Sequence, residues 1–171
     1  MLLRNRPLIP PVSPYGLLQE TLWPSEWLIL VSCMLLNCTT RKQVEKVLPE
    51  FIRRWPSAAE FITHAEREQV MTLIKPLGFA SRRTDNLLKM SQRYLCGPWD
   101  NVRELPGIGE YAARAWEIFC RGELGDEPPN DHALVDYWRW RKHHEQCTKD
   151  SEQIRIEESP RTSSEESENQ S

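Results

Sequence analysis

The chain has 171 residues, 22 Lys and Arg against 25 Asp and Glu, 39% apolar residues and seven Trp, enough to bury one sizeable core as a single compact unit. Its apolar runs fall short of the roughly 20 residues that a helical membrane span needs. Cys33, Cys38, Cys96, Cys120 and Cys147 are scattered without a CxxC pair, so they read as free thiols in a reducing compartment, with no metal site and no secretory leader. The net charge of −3 is uneven: residues 143–171 carry −5 and residues 1–142 carry +2. A polyanionic partner for residues 1–142 is therefore compatible with an acidic total.

Ser25 is placed to cap a buried helix over Trp27–Leu36. An amphipathic stretch follows from about Arg41 to Trp55, in which Pro49 predicts a kink or a break. Ser57 with Glu60 forms a capping-box signature for a short helix, and Glu66–Ile74 predicts another, ended by Lys75-Pro76-Leu77-Gly78. Leu87, Leu88, Met90, Tyr94 and Leu95 share one face of a helix from about Thr84 to Cys96. Then comes Leu105-Pro106-Gly107-Ile108-Gly109. Its glycines permit a sharp turn and close backbone approach, and a helix start offers unpaired N–H groups to a phosphate; on spacing alone it equally suits a plain connection between two helices. Tyr111, Ala112, Ala115, Trp116 and Phe119 predict a helix over Glu110–Arg121.

Asp131 lies 22 residues after Gly109, behind Glu127-Pro128-Pro129-Asn130 and ahead of Leu134, Val135, Tyr137 and Trp138. That position suits a helix N-cap and also presents a carboxylate at a helix mouth, two roles that can coexist. From about His143 to Ser171 the composition is Ser- and Glu-rich with almost no apolar content, which predicts disorder. No alternating run predicts a strand, and there is no internal repeat. The expectation is an all-α fold.

Leu105–Gly109 with Asp131 resembles the helix-hairpin-helix (HhH-GPD) superfamily of base-excision DNA glycosylases. Leu18-Gln19-Glu20-Thr21-Leu22, Leu36-Asn37 with Thr39, Lys75-Pro76-Leu77-Gly78, Gly107-Ile108-Gly109 with Tyr111, Ile118-Phe119-Cys120 and Pro129-Asn130-Asp131-His132 narrow the match. Together they look like the glycosylase domain of methyl-CpG-binding domain protein 4 and its plant relatives, over about Pro7–Trp140. The resemblance implies a two-lobed helical bundle at 1–142 with the active site between lobes, followed by the acidic tail at 143–171. It implies excision of thymine or uracil opposite guanine in double-stranded DNA, by base flipping and Asp131-assisted hydrolysis of the N-glycosidic bond.

The same resemblance assigns further roles. Gln19 and Tyr111 would line the base pocket, and Leu105, Pro106, Gly107, Ile108 and Gly109 would grip phosphate. Cys38 and Leu77 would enter the duplex, with Thr39, Thr40, Arg41 and Lys75 as further phosphate contacts. Tyr111 stands where strand-cleaving relatives carry a Schiff-base lysine, so a monofunctional enzyme is expected. Cys38 and Ala133 replace an arginine and a lysine of mammalian relatives, which puts mismatch discrimination in doubt. His132 reads as orienting the loop. After Asp131 only Cys147 remains, too few thiolates for the iron–sulfur cluster of some relatives; no cofactor is implied beyond a monovalent cation at the hairpin. A monomer is expected, in the nucleus if the source is eukaryotic. The competing readings are a non-catalytic hairpin module and an adenine glycosylase.

Overall fold

The computed structural model describes residues 9–157, with side chains as far as residue 148, and every regular element among them is helical. In chain order these are α1 (Leu18–Leu22), α2 (Glu26–Leu36), α3 (Arg41–Arg54), α4 (Ala58–His64), α5 (Arg67–Ile74), α6 (Ala80–Cys96), α7 (Glu110–Trp116) and α8 (His132–Glu157). Tight 3-10 turns occupy Lys75–Leu77 and Val102–Glu104, and a π-helical turn over Glu117–Arg121 prolongs α7. The helix starts follow their caps. The Ser25 hydroxyl accepts from Leu28 N at 3.3 Å, that of Thr40 from Gln43 N at 3.4 Å and that of Ser57 from Glu60 N at 3.2 Å, each satisfying an orphan donor of its first turn.

Two apolar cores divide the helices, and α2 belongs to both. Leu28, Leu30, Val31, Met34 and Leu35 pack with side chains of α3 to α6, where Trp27, Phe51, Trp55 and Phe61 form an aromatic cluster with centroids 5.2–6.1 Å apart. Ile29 and Cys33 face the other way, against Ala112, Ala115, Phe119, Leu134 and Tyr137 of α7 to α8. Every residue from Trp27 to Leu35 is buried. Indole N–H groups tie the spine to its neighbours: Trp27 donates to the Ser91 hydroxyl at 2.9 Å and Trp116 to the Glu26 carboxylate at 3.0 Å.

Three expectations need correction. Of the kink or break expected at Pro49, the break does not occur: helix α3 continues through it, because Val44, Val47, Leu48 and Phe51 bury one continuous face and the Thr40–Gln43 capping box fixes the start. Proline there removes one ladder hydrogen bond, which that packing offsets. Secondly, α8 continues to Glu157, so residues 143–157 are helical rather than a disordered tail. An Arg141–Glu145 ion pair at 3.0 Å and ring contact between Trp140 and His144 at 5.4 Å carry it beyond its apolar face. The rest of the expected tail, residues 158–171, lies outside the described residues.

The third correction concerns Leu77. It closes the 3-10 turn with its side chain 4% exposed, inside the core with Leu87 and Val44. The chain then passes through Gly78 (φ 75°) and Phe79 (φ 49°), both left-handed, and this reversal turns Phe79 outward, 72% exposed. Leu77 is therefore a packing residue, and the outward apolar side chain of this turn is Phe79.

The hairpin between the 3-10 turn and α7 is anchored by Leu105, 1% exposed, and closed by Ile108 N donating to Leu105 O at 3.1 Å. Its two glycines differ. Gly107 has φ 79°, and a Cβ there would lie 2.9 Å from Met34 Cε and 3.0 Å from Asn86 Cβ. Gly109 has φ −95° and open space where a side chain would stand. Gly107→Ala is expected to cost about 1–3 kcal/mol of stability, and Gly109→Ala less than about 0.5 kcal/mol; urea unfolding of the two variants checks this.

Candidate active site

A cleft of about 460 Å³ opens between the two cores, lined by residues from both. Asp131, Ala133 and Asp136 enter from the start of α8, Tyr111 from α7, Gln19 from α1, and Asn37, Cys38, Thr39 and Arg41 from the turn between α2 and α3. The sequence-predicted residues Gln19, Cys38, Thr39, Arg41, Tyr111 and Asp131 thus converge on one cavity, although 112 positions of sequence separate the first and last.

Asp131 is held by the helix it starts. One carboxylate oxygen, Oδ1, accepts from Leu134 N at 3.1 Å, and its carbonyl accepts from Val135 N at 2.8 Å, as an N-cap requires. This leaves Oδ2 for the cleft. His132, the first residue of α8, is exposed and does not line the cavity.

Opposite it sits a buried polar cluster. Gln19, 2% exposed, donates both amide hydrogens, to Tyr111 Oη at 3.0 Å and to Cys33 Sγ at 3.3 Å. Its Oε1 is the acceptor left over. Burial raises the Tyr111 hydroxyl well above its usual range, so the ring stays neutral and keeps a proton to donate. Cys33 lies buried behind Gln19, and burial pushes its thiol up to about 11. Along the rim, Glu20 accepts from Ser13 N at 2.6 Å, from the Ser13 hydroxyl at 3.0 Å and from Leu17 N, which pins the segment that carries half-exposed Tyr15 to the cleft edge.

Thr40, Lys75, Leu77 and the hairpin lie outside that cavity, and Arg41 at its edge is paired. Thr40 caps α3, donating from its hydroxyl to Gln43 Oε1 at 2.9 Å. Lys75 is exposed in the 3-10 turn, and Leu77 is in the core. Arg41 makes an ion pair with Glu45 at 2.6 Å. The hairpin borders a second cleft of about 310 Å³, where Gly107 meets Cys38, Phe79, Arg82, Arg83 and Asn86. Just beyond the hairpin, Glu110 is gripped by Arg103 through two bonds of 3.0 and 2.8 Å. The guanidinium holds that carboxyl below its usual range and neutralises an anion beside the hairpin. Phe79 and Tyr15 were missed in the sequence; an aromatic directly after a Leu-Gly turn end was the signal for Phe79, whereas nothing local marked Tyr15.

Among the described residues, no group of three or more His, Cys, Asp or Glu side chains surrounds a metal position, and no helix is long and apolar enough to cross a membrane. Comparison with known proteins places the chain in a family. Residues 31–159 match the HhH-GPD superfamily of base excision DNA repair proteins, and the chain belongs to that superfamily. A methyl-CpG-binding domain protein 4-like protein of Arabidopsis thaliana is 42% identical over 130 residues, covering 76% of this chain and 29% of that protein. A thymine-DNA glycosylase of Aeropyrum pernix is 36% identical over 117 residues (64% of this chain, 51% of that protein), and a thymine/uracil-DNA glycosylase of Pyrobaculum aerophilum is 38% identical over the same length (64% and 49%). The chain thus spans about half or less of the curated relatives it matches. The solved structure of a thermostable thymine-DNA glycosylase superposes with a TM-score of 0.53 at 21% identity, over 59% of this chain and 49% of that one, and shares the fold.

The Cys33 environment has a measurable sign. A thiol that ionises near 9 when unfolded and about 11 when folded stabilises the protein below pH 9, and that contribution is lost as pH rises toward 11. At pH 8 iodoacetamide is expected to alkylate exposed Cys38 and leave Cys33 unmodified until the protein unfolds. Peptide mass mapping checks both sites.

Proposed function

We propose that this chain is a DNA glycosylase that excises thymine or uracil opposite guanine in double-stranded DNA, without cutting the strand. The convergence of Asp131, Tyr111 and Gln19 on one cleft carries this reading. Breaking the bond between base and deoxyribose develops positive charge on the sugar, and a carboxylate beneath it stabilises that charge. Unit charges about 4 Å apart at an effective dielectric of about 20 attract by roughly 4 kcal/mol, about a thousandfold in rate. The cap bond to Leu134 N holds Asp131 in place without help from substrate.

The rest of the barrier falls to base recognition and duplex opening. Thymine and uracil carry N3–H, a donor for Gln19 Oε1; cytosine has an acceptor there and is refused. Tyr111 has a proton to donate to a base carbonyl. Having no amine, it forms no Schiff base with the sugar, and an intact abasic site is the product. Phe79 takes the wedge role first given to Leu77, since its exposed ring can enter the gap between base pairs. Cys38 stands at the cleft mouth beside it, and the hairpin amides, with Glu110 neutralised by Arg103, take a phosphate.

Duplexes carrying U·G or T·G pairs, incubated with protein and then heated in alkali, are expected to break at the mismatch; untreated strands stay whole, and borohydride traps no covalent complex. Asp131→Asn preserves the cap, so its melting temperature stays close to that of the parent while excision falls about a thousandfold. Phe79→Ala is expected to slow excision about tenfold or more while leaving stability nearly unchanged. Detectable binding of mismatched DNA with no base released would favour a non-catalytic hairpin module instead.

A further inference from the structure

Arg83, near the start of α6, is 8% exposed, and its guanidinium is ringed by backbone oxygens. Nε donates to Gly78 O at 3.0 Å, Nη1 to Met34 O at 2.7 Å and Leu35 O at 3.4 Å, and Nη2 to Asn37 O. Among the described residues no carboxylate pairs with it. Burying a cation without a counter-charge is costly, and capping a helix end does not require it, since water or a surface lysine satisfies orphan carbonyls.

What the guanidinium joins is more specific than a helix end. The Asn37 carbonyl belongs to the peptide that leads into Cys38, and the Gly78 carbonyl to the peptide that leads into Phe79. Cys38 (φ 58°) and Phe79 (φ 49°) are the two non-glycine residues with left-handed backbone among those described. Both line the second cleft together with Arg83. A planar fork therefore fixes the two peptide planes whose rotation sets where these side chains point. Lysine, with one compact ammonium, cannot span both loops with that geometry.

We infer that Arg83 is a positioning residue for duplex opening, binding the Asn37–Cys38 loop to the Gly78–Phe79 turn so that both tips enter DNA as one rigid unit. The inference rests on the glycosylase reading above. Arg83 touches neither the base nor the sugar; it acts through Cys38 and Phe79.

Single-turnover excision by the parent protein, Arg83→Lys and Arg83→Met separates the roles. One duplex places uracil opposite guanine; the other places it opposite an abasic-site analogue, where no partner base has to be parted. Both variants are expected to lose about tenfold more rate on the first duplex than on the second, the scale of one lost charge-assisted hydrogen bond. Equal losses on the two duplexes, or none, would overturn the inference, because a defect of folding or of simple helix capping lowers both alike. If Arg83→Met does not fold, Arg83→Lys retains the charge and decides the matter by the same ratio. Parent protein that excises from neither duplex overturns the glycosylase reading and this inference with it, whereas parent excision with an unchanged ratio overturns the inference alone.

Discussion

The burial of α2 on every side is the constraint on which the rest of the molecule depends. A helix with no solvent face has to be enclosed, and the chain does so by closing α3 to α6 over one side and α7 to α8 over the other. Its single polar interior residue, Ser32, returns its hydroxyl to Ile29 O at 2.8 Å and so asks nothing of either lobe. Leu28 and Ile29 are adjacent in sequence yet belong to different cores. The two lobes cannot separate without exposing one face of the spine.

The site inherits its geometry from that arrangement. Cys33 sits on the spine and backs Gln19; the spine's last residues lead into Asn37 and Cys38 at the cleft mouth; and α7 and α8, packed on the far side, bring Tyr111 and Asp131 to meet them. Few of the side chains in the cleft hold themselves in place. Gln19 is oriented by Cys33 and Tyr111, Asp131 by its own helix, and the rim segment with Tyr15 by Glu20. On the proposed function, preorganisation of this sort places polar groups where charge develops, so that little reorganisation is needed.

Helices with a cap and a clear apolar face were legible in the sequence: Ser25, Ser57 and the hairpin glycines mark their boundaries through local chemistry, and Asp131 announced both its cap and its position. Departures arose where something other than a cap or an apolar face decided the outcome. Pro49 is carried through by the face that α3 buries, and α8 outlasts its apolar residues through side-chain pairs along its own surface. The Leu77 assignment failed for a geometric reason. Two successive left-handed residues exchange inside for outside within two positions, and a pattern of residue types does not reveal φ. Tyr15 and Arg83 owe their places to partners far along the chain, which spacing alone cannot show.

Left-handed backbone at Cys38 and Phe79 has a consequence for how such a protein can change. Outside glycine, that conformation costs on the order of 1–2 kcal/mol per residue, and an exposed ring at Phe79 adds apolar surface to water. Glycine or asparagine at either tip would relieve the backbone, and a polar residue at 79 would improve solubility. Selection for a sturdier or more soluble protein therefore pushes toward blunted tips, whereas the proposed entry into DNA would hold them sharp. Under the duplex-opening role proposed for them, thermostability and that role are opposed at these two positions, and a variant that gains the first without losing the second has to find its stability elsewhere, in the two cores that enclose α2.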